Sequence, residues 1–131
     1  MSFSVQVDRK YAPSHEWARP EGDLLVVGIS DYAQHELGDV VYVDLPDPGE
    51  RFSQGEVFGA CESVKAVADL YAPVGGEIVA VNTELAGHPE WVNEDPYGAG
   101  WMIAVRLADP VELDGLMAAD VYEEFLREEK A

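Results

Sequence analysis

The chain has 131 residues, a length that suits one compact core, since a domain commonly takes about 100–150 residues. At 47% hydrophobic, 10% aromatic and 26% charged it has the composition of a soluble globular protein rather than a disordered or fibrous one. Its 26 Asp and Glu against 8 Lys and Arg give a formal net charge of −18, so nucleic acid and anionic membrane surfaces are excluded as partners and no basic stripe offsets the repulsion.

The same charge favours solubility and fast, salt-sensitive docking onto positively charged protein faces. One cysteine, Cys61, allows neither an intrachain disulfide nor a thiolate metal site. Three scattered histidines, His15, His35 and His88, give no metal-binding spacing and no partner for a cysteine dyad. Met1 to Lys10 shows no long apolar run and no Arg- and Ser-rich amphipathic character, and nothing later approaches a membrane-spanning length. The expectation is a bacterial, cytoplasmic monomer.

In chain order, Pro20-Glu21-Gly22-Asp23 reads as a turn before the apolar strand Leu24 to Ile29. Ser30 is placed to cap a helix from Asp31 to about Leu37, and Gly38 to stop it. Val40 to Leu45 returns to strand and ends at Pro46-Asp47-Pro48-Gly49. Glu56 to Glu62 and Val67 to Ala72 read as strands on either side of Lys65. After the turn Pro73-Val74-Gly75-Gly76, Glu77 to Asn82 alternates like a half-buried strand. Thr83 to Gly100 reads mainly as loop, and Trp101 to Leu107 as the last strand. Two Asp-x-x-Glu helix starts follow, at Asp109-Pro110-Val111-Glu112 and Asp120-Val121-Tyr122-Glu123, giving a helical segment over about 109–129. Together these predict one domain over residues 1–131, mostly β, with a short internal helix and C-terminal helices.

Of three lysines, Lys10 and Lys130 lie near the ends, and Lys65 is the only one in the interior of this acidic sequence. Its neighbours Ala60, Cys61, Ser63, Ala66 and Ala68 are small, leaving room for a modifying enzyme. Val64-Lys65-Ala66 nevertheless lacks the Gly, Asn or Asp expected of a tight hairpin turn.

Around this lysine the chain resembles the lipoate-carrying H protein of the glycine cleavage system. The resemblance runs through Glu62-Ser63-Val64-Lys65-Ala66, Asp69-Leu70-Tyr71-Ala72-Pro73-Val74 and Val92-Asn93-Glu94-Asp95-Pro96-Tyr97-Gly98 with Gly100-Trp101. Upstream it includes His15-Glu16-Trp17, Asp31-Tyr32-Ala33-Gln34 and Leu37-Gly38-Asp39-Val40-Val41, so that most of Tyr11 to Phe125 is covered. Ala18, Cys61 and Trp91 depart from the usual family residues, at positions expected to pack rather than react.

The resemblance implies a barrel-sandwich hybrid of the lipoyl- and biotinyl-carrier type with Lys65 on a hairpin. It implies lipoic acid as the cofactor, joined covalently to Lys65, with Glu62, Ser63, Val64 and Ala66 read by the lipoate-attaching enzyme. The arm would take an aminomethyl group from a pyridoxal-phosphate glycine decarboxylase. It would pass the carbon to a tetrahydrofolate-dependent aminomethyltransferase and be reoxidised by a flavin-containing dihydrolipoyl dehydrogenase. Ser14, Glu16 and Asp69 would line the cleft that shelters the loaded arm, Asn93 to Trp101 would serve structure or docking, and Trp101 would be buried. The chain itself would be a non-catalytic carrier, without metal and without catalytic residues of its own.

Other functions fit less well. A biotin carrier would place methionines beside the lysine, and the lipoyl domain of a 2-oxo-acid dehydrogenase would place Asp before it; here the neighbours are Val64 and Ala66. An H-like protein that relays lipoyl groups to other acceptors would carry the same lysine, and an unmodified interaction module would leave it bare. Binding to the glycine decarboxylase separates the first of these from the shuttle.

Overall fold

The computed structural model describes residues 3–130, with Lys130 described by its backbone alone. Met1 and Ser2, which open the stretch read above for targeting, lie outside the described residues. The apolar run forms β3 (Leu24–Ile29), buried at every position but Leu24. It pairs with β2 (Glu16–Glu21) across a two-residue turn in which Gly22 supplies a φ of 62°. Adding β1 (Lys10–Tyr11), β9 (Ile103–Leu107), β8 (Gly76–Val81) and β5 (Arg51–Phe52) gives an antiparallel sheet in the order β1-β2-β3-β9-β8-β5.

A second antiparallel sheet runs β4-β6-β7, from β4 (Val40–Asp44), β6 (Val57–Ser63) and β7 (Val67–Tyr71). The main core holds Val27, Ile29, Val43, Cys61, Leu70 and Ile78, contributed by both sheets. Val26 points the other way, into a smaller cluster with Tyr11, Trp17 and Tyr122 beneath the C-terminal helix. Burial on both faces explains why β3 reads as unbroken hydrophobic sequence rather than as alternation.

The helix α1 (Asp31–Leu37) begins and ends as its sequence dictates. Ser30 accepts the Ala33 N–H at 3.2 Å, and Gly38, with φ 87°, donates its N–H to the Gln34 carbonyl at 3.0 Å. The stretch Thr83 to Gly100 is more ordered than a loop, since it contains a 3₁₀ turn at Thr83–Ala86 and α2 (Trp91–Glu94).

Both C-terminal helices depart from the expected caps. In α3 (Val111–Asp114) Asp109 accepts the Val111 N–H at 3.1 Å, but Glu112 turns away from the helix start to accept the Gly75 N–H at 2.6 Å. The longer α4 (Ala119–Lys130) starts before Asp120, which sits in its first turn rather than at its cap. There Tyr11 and Met117 exchange backbone hydrogen bonds, which fixes the chain entering α4 against β1. Trp101 is half-buried; the tryptophan buried completely is Trp17, whose indole N–H bonds the carbonyls of Ile29 at 3.0 Å and Pro96 at 3.1 Å.

Trp17 sits flat against Gly28, its partner across the β2–β3 ladder: a Cβ at Gly28 would lie 2.7 Å from the indole ring. Overpacking of a fixed, hydrogen-bonded ring is costly, so Gly28→Ala is expected to destabilise the fold by about 2 kcal/mol. Urea denaturation monitored by tryptophan fluorescence checks this, and an unchanged midpoint contradicts it.

Candidate functional site

Lys65 occupies the turn between β6 and β7, and the turn chemistry that its own sequence lacks comes from Ser63, the last residue of β6. Ser63 is buried, and its hydroxyl accepts the N–H groups of Lys65 at 3.3 Å and Ala66 at 3.1 Å. Its backbone N–H donates to the Ala66 carbonyl at 2.8 Å. A serine hydroxyl here does what Asn or Asp does in other tight turns. No positive φ is needed at Val64, Lys65 or Ala66; among the described residues His15 is the only non-glycine that has one.

The turn is anchored to the rest of the molecule at its base. Val64 donates its N–H to the Asp39 carbonyl at 3.1 Å, in the short link between α1 and β4. That link is held in turn by Asn93, which accepts the Val40 N–H at 2.8 Å and donates to the Gly38 carbonyl at 2.9 Å and to Gln34 at 3.0 Å. Asn93 thus has a structural task three contacts deep. The resemblance implied a structural or docking role for the loop from Asn93 to Trp101 but not these partners, which lie more than fifty residues earlier.

The lysine itself is exposed and, among the described residues, its amine has no hydrogen bond or ion pair. Its stem passes over Gly38, where a Cβ would come within 3.3 Å of Cε. Beside the turn lies an open groove of about 360 Å³, walled by Ala66 and Ala68 of β7 and its turn, Tyr32, Ala33, Glu36 and Leu37 of α1, and His15. Ala33 and Leu37 stand four residues apart on one helical face, which is the one sequence signal that could have located this wall. A tethered acyl chain suits such a surface, because its methylenes would lie on alanine and leucine side chains.

His15 ties the groove to α4. Its Nδ1 lies 2.7 Å from the Tyr122 hydroxyl and its Nε2 3.1 Å from Glu129, while Tyr122 also reaches Ser30 at 2.7 Å. Burial holds the His15 imidazole below its ordinary pKa, against the pull of Glu129.

Of the three residues expected in the arm cleft, Ser14 and Glu16 meet each other, though neither is among the residues that wall this groove. Glu16 is buried, accepts a short hydrogen bond from the Ser14 hydroxyl and a second from the Tyr71 N–H at 3.0 Å. Asp69 is exposed and sits on the opposite face of β7 from Ala68 and Leu70. It borders a different groove, with Asp44, Glu50 and Ala60. Glu62 is likewise exposed on that outer side, paired across the ladder with Tyr42 and Val67. Cys61 is fully buried and its thiol is pushed up to about 12 by burial and by the nearby Glu16, so it is a packing residue and not a nucleophile. Among the described residues no group of three or more His, Cys, Asp or Glu is arranged to hold a metal ion.

Desolvation raises Glu16 to about 7, against the lowering effect of its hydrogen bonds to Ser14 and Tyr71. The folded protein therefore binds this proton more tightly than the unfolded chain does, and the Glu16 contribution to stability falls as pH rises from about 4.5 to 7. Glu16→Gln abolishes that fall. Denaturation at pH 5 and pH 8 is expected to show the wild type losing roughly 2–3 kcal/mol relative to Glu16→Gln across this range, and parallel pH profiles would contradict it.

Comparison with known proteins gives one consistent result. The family model for the glycine cleavage H-protein matches residues 9–129. A probable glycine cleavage system H protein of Natronomonas pharaonis is 54% identical over 123 residues, 94% of this chain and 97% of that one. The H protein of Anaeromyxobacter sp. strain K is 50% identical over 128 residues, covering 98% of this chain and all of its own. The crystal structure of an H protein from Mycobacterium marinum superposes with a TM-score of 0.84 at 38% identity, covering 97% of this chain and 100% of that one. The two-sheet, mostly β architecture is thus the barrel-sandwich fold of a known H protein, and the chain belongs to the glycine cleavage H-protein family.

Proposed function

We propose that this chain is the non-catalytic lipoyl carrier of a glycine cleavage system, with the lipoyl group joined by an amide to Lys65. It would visit the glycine decarboxylase, the aminomethyltransferase and the dihydrolipoyl dehydrogenase in turn, in the cytoplasm. The observation that carries this reading is the exposed amine of Lys65, without a hydrogen bond or ion pair among the described residues, held on a fixed turn beside a largely apolar groove.

When bound, the lipoyl group supplies a disulfide that can open to take up a one-carbon unit with two electrons, and that is restored by thiol–disulfide exchange. The chain's own residues present and shelter it. Ser63 fixes the direction in which the lysine leaves the turn, and Gly38 leaves room for its stem. Ala33, Leu37, Ala66 and Ala68 offer an apolar bed on which the arm's methylenes could lie. Glu16, buried behind the groove and partnered by Ser14 and the Tyr71 N–H, is pushed up to about 7 by desolvation and would act on a loaded arm only through its charge. Asp69 stands apart from the groove, exposed on the outer face of the β4-β6-β7 sheet.

Lys65→Arg keeps a long cationic side chain but removes the primary amine. It is expected to leave the melting temperature unchanged, because the residue is exposed and has no ion pair among the described residues. It should also reduce glycine-dependent one-carbon transfer, reconstituted with the system's other enzymes, to background. A variant that supports transfer at the wild-type rate refutes the assignment.

A further inference from the structure

Among the residues that wall the groove beside Lys65 there is one carboxylate, Glu36. The other charged and amide side chains of α1 are spent on structure. Asp31 accepts the Ser4 N–H and the Gln34 amide, each at 2.9 Å, Gln34 accepts from Asn93 at 3.0 Å, and His35 lies 3.6 Å from Asp31. Glu36 is exposed and, among the described residues, makes no hydrogen bond or ion pair. It also stands in the last turn of the helix, where the free carbonyls disfavour an anion, so helix stability does not account for it.

Helical side chains lean towards the N-terminus of their helix, which carries the Glu36 carboxylate away from Gly38 and over the turn that holds Tyr32. There its charge acts on both His15 and Tyr32, while Glu129 of α4 reaches the same His15 ring at 3.1 Å. The Lys65 stem leans over Gly38, and from Gly38 to Tyr32 is about 9 Å along the helix axis. An extended acyl chain rooted at Lys65 and laid on the apolar wall spans that distance. No group at this end opposes a cation. Burial holds the His15 imidazole below its ordinary pKa, and desolvation keeps the Tyr32 and Tyr122 phenols protonated, Tyr32 with help from the Glu36 and Glu129 charges. Glu16 is spent on Ser14 and Tyr71, and Asp69 faces the other way. What suits Glu36 is a primary ammonium at the end of a tethered chain.

We propose that Glu36 is the positioning residue that receives the cationic amine of a loaded arm, and that it thereby slows spontaneous loss of the carried carbon. The proposal rests on Lys65 bearing the lipoyl group. Chemistry sets the direction of the effect. In the neutral amine the nitrogen lone pair expels the sulfur: a C=N bond forms as the C–S bond breaks, leaving a thiolate and a methylene iminium ion, which water converts to formaldehyde and ammonium. In the protonated amine that pair is held in an N–H bond, and the sulfur stays. A carboxylate beside the nitrogen favours the protonated form and so preserves the load.

The first measurement uses the full-length unmodified chain. Glu36→Gln is expected to lower the His15 titration midpoint, followed by NMR, by about 0.3 pH units, because Glu36 favours the charged imidazole. An unchanged midpoint overturns the placement of Glu36 at the groove. The second uses the lipoylated chain, loaded with glycine by the glycine decarboxylase and then separated from it, with decay of the load read by intact mass from about pH 6 to pH 10. Glu36→Gln is expected to lose its load about threefold faster at the acidic end and at the wild-type rate at the alkaline end, where the amine is neutral in both. High salt should narrow the gap. Asp114→Asn, which removes an exposed charge from α3, should leave the profile in place. Superimposable profiles for wild type and Glu36→Gln overturn the role of Glu36, as does a variant faster by one factor at every pH, which reports only a reshaped groove. A wild-type chain with no lipoyl group on Lys65 overturns the carrier reading and this one with it; mass shows that before any loading, so the two failures are told apart.

Discussion

A single ammonium must stay unpaired in a chain that carries 26 carboxylates. Surface ion pairs are worth only about 0–1 kcal/mol, so charge alone neither forces nor forbids a partner for Lys65. Geometry decides. The turn is too short and too firmly closed by the Ser63 hydroxyl to bend its lysine back, and the residues beside it are valines and alanines. Glu62, the carboxylate nearest in sequence, lies on the outer face of the sheet between Tyr42 and Val67, while the lysine stem leans over Gly38 on the side of α1. The two charges leave the backbone in different directions.

Rigidity at the base of the turn is built from long-range contacts. Asn93 secures the link between α1 and β4, that link holds Val64 through the Asp39 carbonyl, and Val64 adjoins the lysine. On the far wall of the groove, His15 is held in a left-handed conformation, φ 80°, a strain of about 1–3 kcal/mol that the surrounding contacts must offset. Its bonds to Tyr122 and Glu129, and the stacking of Tyr122 on Tyr11 at 4.3 Å, bring the C-terminal helix into the support of the site. The helix therefore serves the groove from a distance, although none of its described side chains lines it.

Much of this was legible because local chemistry and tertiary context agree. Leu24 to Ile29 is apolar at every second position and between, and forms the central strand with those bounds. Ser30 and Gly38 delimit α1 by capping rules that need no tertiary help. The family resemblance located Lys65 and the fold. By contrast β2 escaped notice, because Glu16-Trp17-Ala18-Arg19-Pro20-Glu21 carries charges and a proline; Pro20 is tolerated since β1 covers only Trp17 and Ala18, which leaves that edge open. The C-terminal caps misled because Glu112 found a better donor in Gly75, thirty-seven residues away. The turn at Lys65 looked wrong on its own residues, since the group that closes it precedes them. Asp69 could be matched to a family position, but sequence does not report which face of a strand a residue occupies until the register is known.

A carrier role turns on the chemical state of one side chain, and peptide-resolved mass spectrometry of the protein made in its native host reads that state directly. The expected result is a lipoyl adduct on the peptide containing Lys65, with Lys10 and Lys130 unmodified. An unmodified Lys65 in cells actively cleaving glycine, or a lipoyl group on either of the other lysines, would contradict it.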